Sequence, residues 1–262
     1  MKMVSAAKLR RAQDRVIAAR PYAALIREML GSVVSRVSWV DGPPHPLLER
    51  RPENCVLLLL LTGDKGLAGA FNANLIKASQ AFLAERSAAR VELELIGRKG
   101  RDFYRRRQAA ISGEHINVFA KVDHAVAKGI AQKAIDRFTA GEVDAVYLLY
   151  NEFKTVLSQK LVVDAILPLR PPAERAGVEH IFEEPVEGIL ASLLPRYVEM
   201  QIYHAMLESA AAEHAARMTA MDAATTNAGE MIDRLTLFMN RVRQASITKE
   251  IIEVVSGAAA IG

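Results

Sequence analysis

The stretch from about Pro195 to Ile261 constrains this chain most: after its opening proline it carries no other, and before Gly257 its single glycine is Gly229. A run this long without breakers predicts one helix, of the order of 90 to 100 Å at roughly 1.5 Å per residue. Leu207, Ala211, His214, Met218, Met221, Thr225, Ala228, Ile232, Leu235, Met239 and Val242 step alternately by four and three, which is the seam of a left-handed coiled coil. Ala211, Thr225 and Ala228 add little volume to that seam, so the facing helix is expected to approach closely. A rod of this length is expected to leave any globular body.

The first forty residues supply the second strand. Ala12, Val16, Ala19, Ala23, Ile26, Leu30, Val33 and Val37 follow the same rhythm, small residues first and larger ones later. Projected backwards, the seam is expected to pass through Met1, Ser5 and Lys8, which a two-stranded coil would bury poorly. Pro21 lies inside the pattern and off the seam. It removes one backbone hydrogen bond, so a bend is expected near Ile17. The chain opens inside a helix-forming run with no capping residue ahead of Met1, which suggests a helical segment upstream.

Asp41 to Pro52, with Gly42, Pro43, Pro44 and Pro46, reads as a linker that ends the first helix and starts a separate domain. Within that domain Val56–Leu61 reads as a buried strand, Asn72–Glu85 as a helix, Val91–Ile96 as a strand and Gly100–Arg107 as a short basic helix. A short element around Ile116–Phe119, a helix from about Asp123 to Thr139 and a strand Ala145–Tyr150 continue the alternation, which implies a parallel sheet. Lys160–Leu167 is expected to pair antiparallel with the preceding strand. Pro168 to Glu184 reads as a loop returning to the long helix. The predicted fold class is α/β: a long antiparallel coiled coil of the N- and C-terminal helices with an inserted small Rossmann-like domain. The expected divisions are 1–40, 53–184 and 185–262.

The longest apolar run, Val56 to Leu61, is far shorter than the roughly 18 residues of a membrane span, so membrane association is expected only through partners. The lone Cys55 excludes an internal disulfide and a cysteine-based zinc site. The net charge of +4 is modest. Its basic residues cluster at Lys2, Lys8, Arg10, Arg11, Arg15 and Arg20 without interleaved aromatics, which argues against nucleic acid. That run either solvates a helix face or meets an acidic partner. Gly97, Arg98, Lys99, Gly100, Arg101 and Arg105–Arg107 form a second basic patch with the same two readings.

Thr62 to Asn72 follows a strand and opens a helix, where a phosphate-binding loop would lie. It lacks the Gly-Lys-Ser/Thr ending of a P-loop and the spacing of a dinucleotide fingerprint. Gly66 and Gly69 are therefore expected to serve a structural turn. The histidines are scattered, with neither a His-Glu-x-x-His pair nor a Gly-x-Ser-x-Gly elbow, and no catalytic constellation is visible. No metal site and no cofactor are expected. Two other readings stay open on the residues alone: a nucleotide-binding enzyme using Gly63 to Gly69, and a scaffold that homodimerises through its coil.

Longer stretches of wording carry a resemblance. The opening residues Met1 to Gln13, with Ala19, Arg20, Pro21, Tyr22 and Ala23, resemble the N-terminal helix of the gamma subunit of F-type ATP synthases. Glu213 to Asp222, Asn227 and Ala228, Arg243 to Thr248, and Ile251, Val255, Ser256, Gly257 and Ala258 are similar to that family's C-terminal helix. Gly66 to Asn72 is similar to its Gly-Leu-Cys-Gly segment, with alanine at the cysteine position, and Ile96 to Gly100 also matches. The resemblance spans essentially the whole chain and implies a non-catalytic rotor without cofactor. Its coil would run up the axis of a hexamer of alpha and beta subunits, and its body would sit on the c-ring beside epsilon. Torque and catch contacts would map to Met1, Lys2, Arg217, Arg243, Gln244 and Thr248. For Arg217 and Arg243 the other reading is a pair within the helix, or a solvated edge. The implied location is peripheral, at the cytoplasmic face of a bacterial inner membrane, with an organellar inner membrane as the alternative.

Overall fold

The structure, a computed structural model, describes residues 2–34, 43–107, 109–170 and 185–259. Met1, Val37, Asp41, Gly42 and most of the expected 168–184 loop lie outside them. The elements are α1 (Lys2–Val34), β1 (Cys55–Leu61), α2 (Phe71–Glu85), β2 (Arg90–Ile96), α3 (Arg98–Arg105), β3 (Ile111–His115), α4 (His124–Thr139), β4 (Ala145–Phe153), β5 (Gln159–Leu167) and α5 (Val186–Ala259). A short 3₁₀ turn, Pro46–Leu48, precedes β1.

The sheet runs in the order β3-β2-β1-β4-β5. β3, β2, β1 and β4 are mutually parallel, and β5 returns antiparallel along β4. Strands at the centre of such a sheet are covered on both faces and read as continuous apolar runs. In β1, Val56 to Leu61 are all buried. Leu57, Leu59 and Leu61 pack on one side with Ala127, Ile130 and Phe138 of α4 and with Val198, Ile202 and Ala205 of α5. Val56, Leu58 and Leu60 pack on the other with Phe71, Leu75 and Phe82 of α2 and Tyr104 of α3.

Two compact units divide the chain, Met1–Thr219 and Ala220–Gly262. The first therefore holds α1, the sheet and the beginning of α5 together, where the sequence suggests a body distinct from both helices. In it, α5 is buried on every side from Ala205 to Glu213. One face meets the sheet core and another meets α1, so this part of the helix is embedded in the body. α1 and α5 are antiparallel neighbours: Lys8, Arg11, Ala12 and Arg15 share a cleft with Leu207, Ala210 and His214, whereas Ala23, Ile26 and Arg27 share one with Tyr197, Met200, Gln201 and His204.

Three local expectations need correction. α5 begins at Val186, and Pro195 lies inside it. The preceding turns hold because Leu190, Leu193 and Leu194 bury an apolar face, and the proline forfeits only one backbone bond. The short element expected around Ile116–Phe119 lies earlier, as the strand Ile111–His115. The amides of Asn117 and Phe119 donate to the Asp64 carboxylate at 2.8 and 3.2 Å, which takes them out of any ladder. On α1 the buried face runs through Ser5 and Leu9, leaving Lys8 exposed. Continuing the four-three alternation back from Ala12 reaches an apolar side chain at Leu9, and a lysine there would lose hydration.

Candidate functional site

The loop between β1 and α2 is tied to its surroundings at several points. Thr62 N–H donates to the Ile96 carbonyl at 2.7 Å, and Gly63 N–H donates to Asn72 Oδ1 at 2.8 Å. The first amides of α3 are engaged as well. Arg98 donates to Asp64 Oδ1 at 3.1 Å, Lys99 to the Gly63 carbonyl at 3.1 Å and Gly100 to Thr62 Oγ1 at 2.9 Å. An incoming phosphate would have to displace a carboxylate, a carbonyl and a hydroxyl from this helix end. The loop is built as a packed junction.

The glycines divide by role. Gly69 has φ +55°, in the left-handed region, as has Leu67 beside it at +60°. Gly66 has ordinary backbone, and a Cβ there would meet only the end of Lys99 at 3.9 Å. The strictest glycine is Gly97, which lies outside the Gly66–Gly69 turn. Its φ is +109°, and a Cβ would lie 1.8 Å from the Thr62 carbonyl oxygen.

Across this loop lies the first turn of α5 that emerges from the core. Arg217 and Glu213 are 8% and 4% exposed. The Arg217 guanidinium donates to the Gly66 carbonyl through Nε at 3.2 Å, to His214 Nδ1 at 3.3 Å, and to Glu213 Oε1. Burial pushes the Glu213 carboxyl above its ordinary value, and Arg217 opposes that shift. Burial also lowers His214 to about 4, reinforced by Arg217, Lys8 and Lys65, so its neutral ring can accept from Arg217. Lys8, Asp64, Lys65, Asn117, Phe119 and this trio line a cleft of about 100 Å³.

Arg217 forms the pair with Glu213 that was its other reading, extended to the Gly66 backbone carbonyl. The physical reason is burial: a guanidinium removed from water requires its partners within the chain. The signal in the sequence was the Glu213–Arg217 spacing of four; the Gly66 acceptor had none.

The other expected contacts are placed differently. Lys2, Arg243, Gln244 and Thr248 are exposed, and Met1 lies outside the described residues. Thr248 Oγ1 donates to the Gln244 carbonyl one turn earlier at 2.9 Å. Of the seam positions in the first unit, Val16, Ile26 and Leu30 are buried, while Ala12, Ala19, Ala23 and Met218 are half-buried. In the second unit Met221 is half-buried and Ala228, Ile232, Leu235, Met239 and Val242 are exposed. Ile232 is 63% and Leu235 59% exposed.

Among the described residues no group of three or more His, Cys, Asp and Glu side chains could hold a metal, and no helix is long and apolar enough to cross a membrane.

Comparison with known proteins places this architecture. A family profile described as ATP synthase matches residues 1–261. A protein named ATP synthase gamma chain from Solibacter usitatus is 62% identical over 99% of this chain and 91% of its own length. The chain belongs to the ATP synthase gamma family. Another gamma chain, from Anaeromyxobacter sp. strain Fw109-5, is 48% identical over 100% of this chain and 92% of its own length. Among solved structures, a chain of the Tetrahymena thermophila mitochondrial ATP synthase central stalk and c-ring aligns at a TM-score of 0.65 and 25% identity. It covers 86% of this chain and 97% of its own. A chain from the Euglena gracilis mitochondrial ATP synthase, described with OSCP, F1 and c-ring, shares the fold at a TM-score of 0.62 and 17% identity, over 98% and 95% of the two chains. The long helix and the five-stranded sheet are thus those of a gamma subunit.

Proposed function

We propose that the chain is the central rotor shaft of an F-type ATP synthase, coupling ion-driven rotation of the c-ring to conformational cycling of catalytic sites on beta subunits. The carrying observation is the family match over residues 1–261, with a gamma chain 62% identical. The solved relative described as central stalk and c-ring supports the same assignment. On this reading the partners are the alpha and beta subunits, epsilon and the c-ring. The chain itself breaks no bond, and its location is peripheral, at the cytoplasmic face of a bacterial inner membrane.

The exposed part of α5 supports a shaft enclosed by partners. Ile232, Leu235, Phe238, Met239, Val242, Ile251 and Val255 are each more than half exposed. Exposed apolar side chains in this number along one helix mark a surface covered by protein in an assembly. Arg243, Gln244 and Thr248 lie along the same exposed stretch and are assigned to polar contacts with beta subunits. Lys2, and Met1 by the family resemblance, are assigned to the same contact set. A shaft without rotational symmetry presents different faces to successive sites and so biases each towards a different conformation.

The test is purification of a tagged copy from native membranes. Alpha and beta subunits in hexameric proportion to one copy, with epsilon and a c-ring, are expected. Recovery of the chain alone, or of a homodimer, refutes the assignment.

A further inference from the structure

We propose that Arg217, paired with Glu213, is a positioning residue that locks the shaft helix to the globular body so that twist passes between them. The proposal rests on the rotor-shaft reading and assigns a torque-bearing joint within the subunit, where the family resemblance placed a contact with another.

The geometry of one guanidinium carries it. Arg217 is held by Glu213 one turn earlier on its own helix, and it donates through Nε to the Gly66 carbonyl, 151 positions away in the chain. Both side chains are buried. The acceptor belongs to a loop that cannot yield easily. Its neighbours Thr62, Gly63 and Asp64 are bonded to Ile96, Asn72 and the start of α3, and Asp64 also receives Asn117 and Phe119. A load on Arg217 is therefore delivered to the C-terminal ends of β1 and β2 and not to a free loop.

A second tie completes the joint. The Glu208 carboxylate, 2% exposed, accepts the Phe153 amide at the end of β4 at 2.9 Å. Positions 208 and 217 are separated along the helix by roughly 14 Å and around it by about half a turn. Two ties on opposite sides of a helix resist rotation about its axis, whereas apolar packing, being non-directional, permits slip. Beyond Thr219 the chain passes into the second compact unit.

The test uses the assembled complex and carries a nitroxide at Leu67, 64% exposed beside the latch, in a Cys55→Ala background. Arg217→Met removes the donors and keeps a long side chain. Loss of a hydrogen bond to a charged group is expected to raise loop opening about tenfold or more. The spectrum should show a more mobile label, and ions transported per ATP hydrolysed should fall while hydrolysis persists. Arg217→Lys, which cannot reach both acceptors, should lie between. It supplies the same two readouts if Arg217→Met fails to assemble. A label as immobile as in the parent overturns the latch. A mobile label with unchanged coupling overturns its role in transmission. The label readout can be repeated on the isolated chain, so a failure of the rotor assignment itself would appear separately, as absence of the complex.

Discussion

Replacing His214 by Gln should make the protein less sensitive to acid. His214 sits beside Lys8 of α1, Lys65 of the β1–α2 loop and Arg217 of its own helix, and burial with these charges lowers its pKa from 6.5 to about 4. A histidine depressed in the folded state contributes stability above its unfolded value of 6.5. That contribution is lost as pH falls towards 4, because the unfolded chain takes up the proton first. The full difference corresponds to at most about 3.4 kcal/mol, and partial exposure and screening reduce it to about 1–2 kcal/mol. Thermal melts at pH 7 and pH 4.5 give the assay. For a chain of this size 1 kcal/mol corresponds to about 2–4 °C, so the drop between the two pH values should be about 2–8 °C smaller in His214→Gln. Glu213 acts in the opposite sense. Its raised carboxyl contributes stability that is present below its unfolded pKa and lost as pH rises through its folded one, so it does not mimic the predicted change. Equal acid sensitivity in the two proteins would refute the reasoning, since it would mean that His214 is not held neutral by its surroundings.

Gly97→Ala should destabilise by at least about 3 kcal/mol, because the new Cβ collides with the Thr62 carbonyl at a left-handed φ. Gly66→Ala should change stability by less than about 1 kcal/mol, and paired denaturant curves compare the two. Glu208→Ala leaves the Phe153 amide without its acceptor and should cost about 1–3 kcal/mol, while Glu208→Gln keeps an acceptor and should cost less; chemical denaturation distinguishes them. Leu235→Gly in the assembled complex should cost about 1 kcal/mol of local helix stability and lower ion transport more than ATP hydrolysis. Unchanged coupling would remove the need for a stiff shaft at that position.

The elements legible in the sequence are those governed by periodicity and by breakers. β1, α2, β2, α4, β4 and β5 lie within a few residues of where apolar runs and turn residues put them. β3 escaped because Ser112, Gly113 and Glu114 carry no apolar pattern. Its place at the sheet edge depends on Glu94, which receives Lys133 at 2.8 Å and contacts His115 at 2.8 Å. Those partners also hold the buried Glu94 carboxyl below its ordinary value against the cost of burial. Gly113 fits there because a Cβ would lie 2.2 Å from Glu94 Oε1. None of these three contacts is local in sequence.

The candidate site divides in the same way. The Glu213–Arg217 pair follows from a helix that returns to the same face every four residues, and Gly69 follows from a strand-to-helix turn. The long helices, the alternation of strand and helix, and the seam rhythm in both terminal segments follow from local residue pattern alone. Each is a property of neighbours within a turn or two. That α5 is embedded through Glu213, that Arg217 reaches Gly66 and that Gly97 must lack a side chain come from long-range packing. Each depends on which distant backbone group comes within about 3 Å, and hydrogen-bond and steric energies change over tenths of an ångström.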